Sequence, residues 1–268
     1  MDEVVSAASY ASTVGYMPFR KTDHHKNAID YEVAGLTWLA AAQPAGAAIV
    51  EVLDHGNGWL TEPELSPIRP TREAAEEFGR RLAHTHAAGA SHLGAAPDGF
   101  TPDGGYIGRA PLRLPSEHID SWGEFYARHR IEPYMDSLDA DARAIMSKLV
   151  DRLASGVLDH DQPALVTDPA ARTHGDMWSG NLMWTSDGVV LIDPAAQGGH
   201  AEEDLASLSV FGAPFTNEIR AAYDEESPLA DGWQERVGLH QLHMLIVHCF
   251  LFGGGYVGET VEVARRYL

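Results

Sequence analysis

Apolar positions recur at helical spacing between Asn27 and Ala42, where Ile29, Val33, Leu36 and Leu39 share one face. Shorter apolar runs flank this helix. Tyr16 to Lys21 precedes it, and Ala47 to Leu53 and Gly58 to Leu65 follow it; their length and residue types predict strands. The segment Asp54-His55-Gly56-Asn57-Gly58 supplies the turn between the last two. Ser66-Pro67-Ile68-Arg69-Pro70 then breaks the pattern. The chain divides there into a small mixed lobe, residues 1–65, and a mainly helical lobe, residues 66–268, which predicts an α+β fold.

The second part opens on Thr71, an N-cap residue with Glu73 in the first turn. Ala75, Phe78 and Leu82 continue at helical spacing until Gly89. Ser91 to Pro115 has no clear period and is long for an idle loop, which points to a binding role. Helices are expected over Ser121–Leu138 and Ala140–Leu153. Arg172 to Asn181 reads as a loop feeding a hairpin, Leu182-Met183-Trp184, the turn Ser186-Asp187-Gly188, then Val189 to Ile192. Helices follow over Glu202–Phe211, Asn217–Glu225 and Trp233–Phe252, with one more near the C-terminus.

Composition narrows the partners more than the fold. A net charge of −20 opposes nucleic acid phosphates and anionic membranes, so neither is expected as a partner. Solubility is the simpler account of that charge, although it also suits cationic small molecules. Cys249 is the single cysteine and sits in an apolar run, so a disulfide scaffold is excluded and a buried thiol expected. Met1-Asp2-Glu3 carries no basic region, and the stretch from Leu242 to Phe252 is broken by His243 and His248 and too short to span a bilayer. A cytoplasmic protein is expected.

The chemistry concentrates in His174-Gly175-Asp176-Met177-Trp178-Ser179-Gly180-Asn181, with Asp193 twelve positions after Asn181 in Val189-Val190-Leu191-Ile192-Asp193-Pro194. An Asp and an Asn five apart, followed by a second Asp after an apolar strand, have the layout of a phosphoryl-transfer site. One carboxylate orients an attacking hydroxyl and accepts its proton. The Asn amide oxygen and the later carboxylate supply the hard ligands that Mg²⁺ on the phosphates of ATP requires. Asp176 is the candidate base, and Asn181 and Asp193 are the candidate metal ligands.

These residues resemble the fructosamine kinases, or ketosamine-3-kinases, relatives of the aminoglycoside and choline kinases. Further marks are Asp193-Pro194-Ala195, Gly199-His200-Ala201-Glu202 with Asp204-Leu205-Ala206, and Leu251-Phe252-Gly253-Gly254-Gly255-Tyr256. Upstream, Gly105-Tyr106-Ile107-Gly108 and Ser121-Trp122-Gly123-Glu124-Phe125-Tyr126 resemble the family's insert. The resemblance covers roughly residues 19 to 268 and implies a two-lobed protein-kinase-like fold. It implies ATP and Mg²⁺ as cofactors and a small-molecule ketoamine, or a glycated protein or amino acid, as the substrate phosphorylated on its sugar 3-hydroxyl. Two departures stand out. The region where the family carries a Gly-rich nucleotide loop, Ala7 to Gly15, holds a single glycine and no cysteine, and Ala201 replaces an Arg.

The resemblance also assigns roles. Lys21 corresponds to the strand lysine that contacts phosphates, with Lys26 as a rival, and Glu32 to its ion-pair partner. Glu62 to Leu65 fall at the hinge between lobes, where backbone groups bind adenine. Trp178 is either a platform for a sugar face or a core residue bracing the loop. His200 either contacts substrate or braces the metal loop. Asp204 anchors the catalytic-loop backbone, and His174 packs and hydrogen-bonds there. Fourteen histidines raise a metal site, but His84 and His86 diverge on a helix, and His240 and His243 lack a cysteine or carboxylate cluster; no histidine site is expected. Two other functions remain open: a kinase of another hydroxylated amine, of the aminoglycoside or choline type, and a nucleotide-binding protein without turnover.

Overall fold

The computed structural model describes residues 18–102 and 104–268; the glycine-poor segment from Ala7 to Gly15 lies outside them. The N-terminal part consists of β1 (Pro18–Thr22), α1 (Ala28–Ala40), β2 (Ala48–Ile49), β3 (Asp54–Gly56) and β4 (Trp59–Pro63). Strand β4 lies between β1 and β3 in an antiparallel sheet, with Lys21 opposite Leu60 and Phe19 opposite Glu62. Helix α1 buries Ile29, Tyr31, Leu36 and Leu39, with Glu32 one turn from Leu36.

Two expectations change here. Asp54 to Gly56 form a strand rather than a turn, because Asn57-Gly58 alone closes the hairpin, with Gly58 at φ 77°. The expected Ala47–Leu53 strand shrinks to β2, which does not join the β1–β4–β3 sheet. It runs parallel to β9 (Gly188–Leu191), through Ala48 opposite Val190. The two parts of the chain are thus joined by backbone hydrogen bonds, among them Val50 N–H donating to the Leu191 carbonyl.

Helix α2 (Arg72–Ala87) begins where expected, its first turn capped by the Thr71 hydroxyl accepting from Ala74 N–H. The Ser91–Pro115 segment contains a hairpin, β5 (Gly104–Ile107) and β6 (Ala110–Arg113), closed by Gly108-Arg109. The expected Ser121–Leu138 helix is three segments: α3 (Trp122–Phe125), a π-helical turn over Tyr126–Ile131 and a 3₁₀ turn over Glu132–Ser137. Pro133 has no N–H to donate back along an α-helix, so regular winding cannot pass through it. Helix α4 (Ala140–Ala154), β7 (Ala171–Thr173), the hairpin of β8 (Leu182–Thr185) with β9, and β10 (Gln197–Gly199) follow. Strand β10, unforeseen in the sequence, pairs antiparallel with β7 and brings Asp193 back beside the loop that follows β7. The chain closes with α5 (Ala201–Ser207), α6 (Thr216–Glu226), α7 (Trp233–Phe252) and α8 (Val257–Arg265). Cys249 is buried against Thr260, as expected for a thiol in an apolar run. No helix among the described residues is long and apolar enough to cross a membrane.

Candidate active site

A cleft of about 400 Å³ lies between the two parts of the molecule. Lys21 and Glu32 line it from the N-terminal side, and Asp176, Trp178, Asn181 and Asp193 from the loops around β8 and β9. Helix α7 contributes Val247, His248, Leu251 and Phe252, and the tip of the β5–β6 hairpin contributes Tyr106 to Arg109.

The loop between β7 and β8 is held by its backbone. Asp204, at 1% exposure, accepts from His174 N–H at 2.7 Å and Gly175 N–H at 2.9 Å, and meets His86 Nε2 at 3.1 Å. Burial works against the Asp204 charge, but those donors outweigh it and hold its carboxyl below the ordinary range. Gly175 has φ 79°, and a Cβ there would collide with the Ala195 carbonyl oxygen, so this position needs glycine twice over. His174 packs inward: its Nε2 meets the Ile192 carbonyl at 2.9 Å and its Nδ1 accepts from Asp176 N–H at 3.3 Å.

Three side chains expected to act together are joined through Asn181. Its amide N–H₂ donates to the Asp176 carbonyl at 2.8 Å, to Asp176 Oδ2 at 3.2 Å and to the Asp193 carbonyl at 3.3 Å. The donors are thereby used on the protein, which leaves the amide oxygen for a cation. Asp193 sits at φ 53°, a left-handed conformation unusual for a non-glycine residue and held here by its neighbours. Burial pushes the Asp176 carboxyl up to about 7, with Asp193 and Asp204 adding to the rise and the Asn181 bond opposing it.

Lys21 Nζ donates to Glu32 Oε1 at 2.6 Å and to Asp193 Oδ1 at 2.5 Å, so the strand lysine already spans the cleft. Burial alone would lower the Lys21 pKa; the two carboxylates reverse that and raise it. Burial likewise raises Glu32, against the pull of Lys21. Asp193 keeps a partly exposed carboxylate, and together with the Asn181 amide oxygen it makes an oxygen donor set that fits Mg²⁺.

The other candidates divide. Trp178 lines the cleft at 38% exposure, its ring packed over Gly180 and edge-on to Phe211 at 6.1 Å. Glu62 and Leu65 do not line the cleft. Glu62 is buried on β4 with Oε1 unpartnered, and burial followed by Glu32 pushes its carboxyl up to about 7. Leu65 packs half-buried against the core just beyond the strand. His200 is not brought to the cleft either. It is 1% exposed and caps α5, its Nδ1 accepting from Glu202 N–H while Nε2 meets the Asp161 carbonyl at 3.2 Å. A buried ring with both nitrogens engaged has nothing left for a substrate. The Tyr106–Arg109 tip walls the cleft although its sequence carried no assigned role; the length of Ser91–Pro115 and the Gly105-Tyr106-Ile107-Gly108 mark were its signals.

The pattern of the fructosamine kinase family matches residues 7–268. A ketosamine-3-kinase from Mus musculus is 35% identical over 245 residues, 81% of this chain and 75% of its own. A crystal structure of a fructosamine-3-kinase candidate from Thermobifida fusca YX-ER1 superposes with a TM-score of 0.83 at 38% identity, covering 94% of this chain and 86% of that one. The gentamicin complex of APH(2'')-IIa shares the fold alone, with a TM-score of 0.59 at 12% identity over 92% of this chain and 84% of that one. The protein-kinase-like architecture is shared with both of these solved structures.

Proposed function

Because the chain belongs to the fructosamine kinase family, we propose that it is an ATP-dependent kinase that phosphorylates the sugar 3-hydroxyl of ketosamines, such as fructosamine or ribulosamine adducts of amines. The observation that carries this most directly is the Asp176–Asn181–Asp193 constellation, tied together by one amide group at the floor of a cleft that Lys21 spans.

In this account Asp176 receives the acceptor hydroxyl, orients it and takes its proton as the new O–P bond forms and the bond to the departing ADP breaks. Asn181 holds Asp176 in place through its amide N–H₂ and, with Asp193, would ligate Mg²⁺. When bound, that ion neutralises charge on the phosphates. Lys21, kept protonated by Glu32 and Asp193, directs its ammonium at the nucleotide phosphates. Residues 1–65 contribute Lys21 and Glu32 to the nucleotide site, and residues 66–268 carry the catalytic loop, the metal ligands and the acceptor site. Trp178 offers an exposed aromatic face to the sugar. A phosphate on the carbon beside the ketone leaves more readily than hydroxide, so the adduct can then shed its sugar. The biological sense is repair of glycated amines, free or on protein, in the cytoplasm.

The test is ATP consumption with Mg²⁺ against fructosamine, ribulosamine and erythrulosamine adducts, with kanamycin and choline as competitors for the assignment. Phosphorylation of ketosamines alone is the expected result. Transfer only to kanamycin or choline would overturn the substrate class, and ATP binding without transfer to any acceptor would overturn the activity.

A further inference from the structure

Away from the cleft, three histidines and a glutamate from separate segments converge. His160 comes from the loop after α4, His200 and Glu202 from the start of α5, and His240 from α7; one ligand atom from each lies within 4.8 Å of all the others. His160 Nε2 and His240 Nε2 are 2.8 Å apart, and Glu202 Oε2 is 3.3 Å from His240 Nε2 and 3.8 Å from His160 Nε2. A tetrahedral zinc ion with bonds of about 2.0–2.1 Å sets its ligand atoms about 3.3–3.4 Å apart. The three separations bracket that edge.

Proton inventory points the same way. The Leu158 carbonyl can only accept, so the 2.9 Å contact at His160 Nδ1 places the proton there and leaves Nε2 as a lone pair. That lone pair and the Glu202 carboxylate face the same small volume as His240 Nε2, whose other ring nitrogen is buried without a partner. Arg236 clasps Glu202 at 3.0 and 2.6 Å and fixes its orientation, while the Trp122 ring packs at 4.6 Å from His160 and 4.7 Å from His240.

We propose that His160, His240 and Glu202 form a three-ligand binding site for a divalent metal of the zinc class, while His200 keeps its Glu202 N–H and Asp161 carbonyl partners beside it. Asp204, which anchors the catalytic loop, lies on the same short helix two residues beyond Glu202. A metal there ties α5 to α7 and to the loop after α4, bracing the anchor without touching substrate.

The experiment uses the full chain, stripped by dialysis against a chelator and then titrated with Zn²⁺, Co²⁺ or Mg²⁺. One equivalent of Zn²⁺ should bind and raise the unfolding midpoint, Co²⁺ should give the intense visible bands of a tetrahedral site, and Mg²⁺ should do neither. His160→Ala, on a loop, should lose stoichiometric Zn²⁺ uptake and the Co²⁺ bands. Should that variant fail to fold, X-ray absorption of the wild-type zinc complex decides, with at least two imidazoles at about 2.0–2.1 Å expected. Absence of stoichiometric Zn²⁺ binding by the wild type, a six-coordinate Co²⁺ spectrum, or undiminished uptake by folded His160→Ala would overturn the site.

Discussion

Asp176 and Asp193 share one cleft but not one electrical environment. Asp193 is paired with the Lys21 ammonium, whereas Asp176 has a single amide donor and a buried setting that favours its proton. Such a contrast divides labour between ligand and base. Asp176→Asn is expected to lower kcat by about 10²–10⁴-fold while ATP binding persists, the loss typical of a removed base; nucleotide titration beside steady-state rates would check it. Glu62 allows a prediction about stability. Its carboxyl rises from 4.5 to about 7 on folding, so folding takes up a proton between those values and stability falls as pH rises through them. Glu62→Gln should therefore unfold at a higher temperature than wild type at pH 8, with the difference gone by pH 4 in thermal melts. At this scale the spacing pointed to Asp176, Asn181 and Asp193, because a loop and a strand carry their geometry locally, while Lys21 and Glu32 came only with the resemblance; the structure brings all five to one cleft. The histidine cluster was illegible, since its ligands lie on segments that only tertiary packing joins.

Elements with strong periodicity were legible, and those shaped by long-range pairing were not. Helix α7 runs over the expected residues because its apolar positions and flanking glycines fix both ends. Strand β2 could not be foreseen in its place, since its partner lies some 140 residues later and local sequence says nothing of it. Pro133 was visible, yet the π turn before it and the 3₁₀ turn around it depend on Tyr126 bonding to α7 and on Arg130 and Tyr134 bonding to the Arg113 and Pro111 carbonyls of β6. Helices α2 and α6 approach so closely that a Cβ at Gly79 would run into the Ile219 carbonyl. Gly79→Ala should destabilise the protein by about 1–3 kcal/mol through overpacking, read as a lower urea midpoint with unchanged activity per folded molecule.

Across the whole molecule, a net charge of −20 surrounds a cleft that must admit both an anionic nucleotide and an amine-bearing acceptor. Lys21 and Arg109 stand against Asp23, Glu32, Asp176 and Asp193 along its walls, so acidic side chains outnumber basic ones and the cleft favours a cationic acceptor. KM for a cationic ketosamine should therefore rise with added salt more steeply than KM for a neutral adduct, as screening weakens the attraction; parallel titrations at low and high ionic strength would show it. The protein-kinase-like fold was legible through the resemblance, but the parallel pairing of β2 with β9 was not. The most direct test of the account is to locate the phosphate by phosphorus–proton NMR in the product of a fructosamine adduct, made by the wild type and by Asp176→Asn. Phosphate on the sugar 3-hydroxyl, formed by the wild type and lost in the variant with ATP binding intact, is the predicted result. Phosphate on another position, or wild-type turnover by Asp176→Asn, would contradict it.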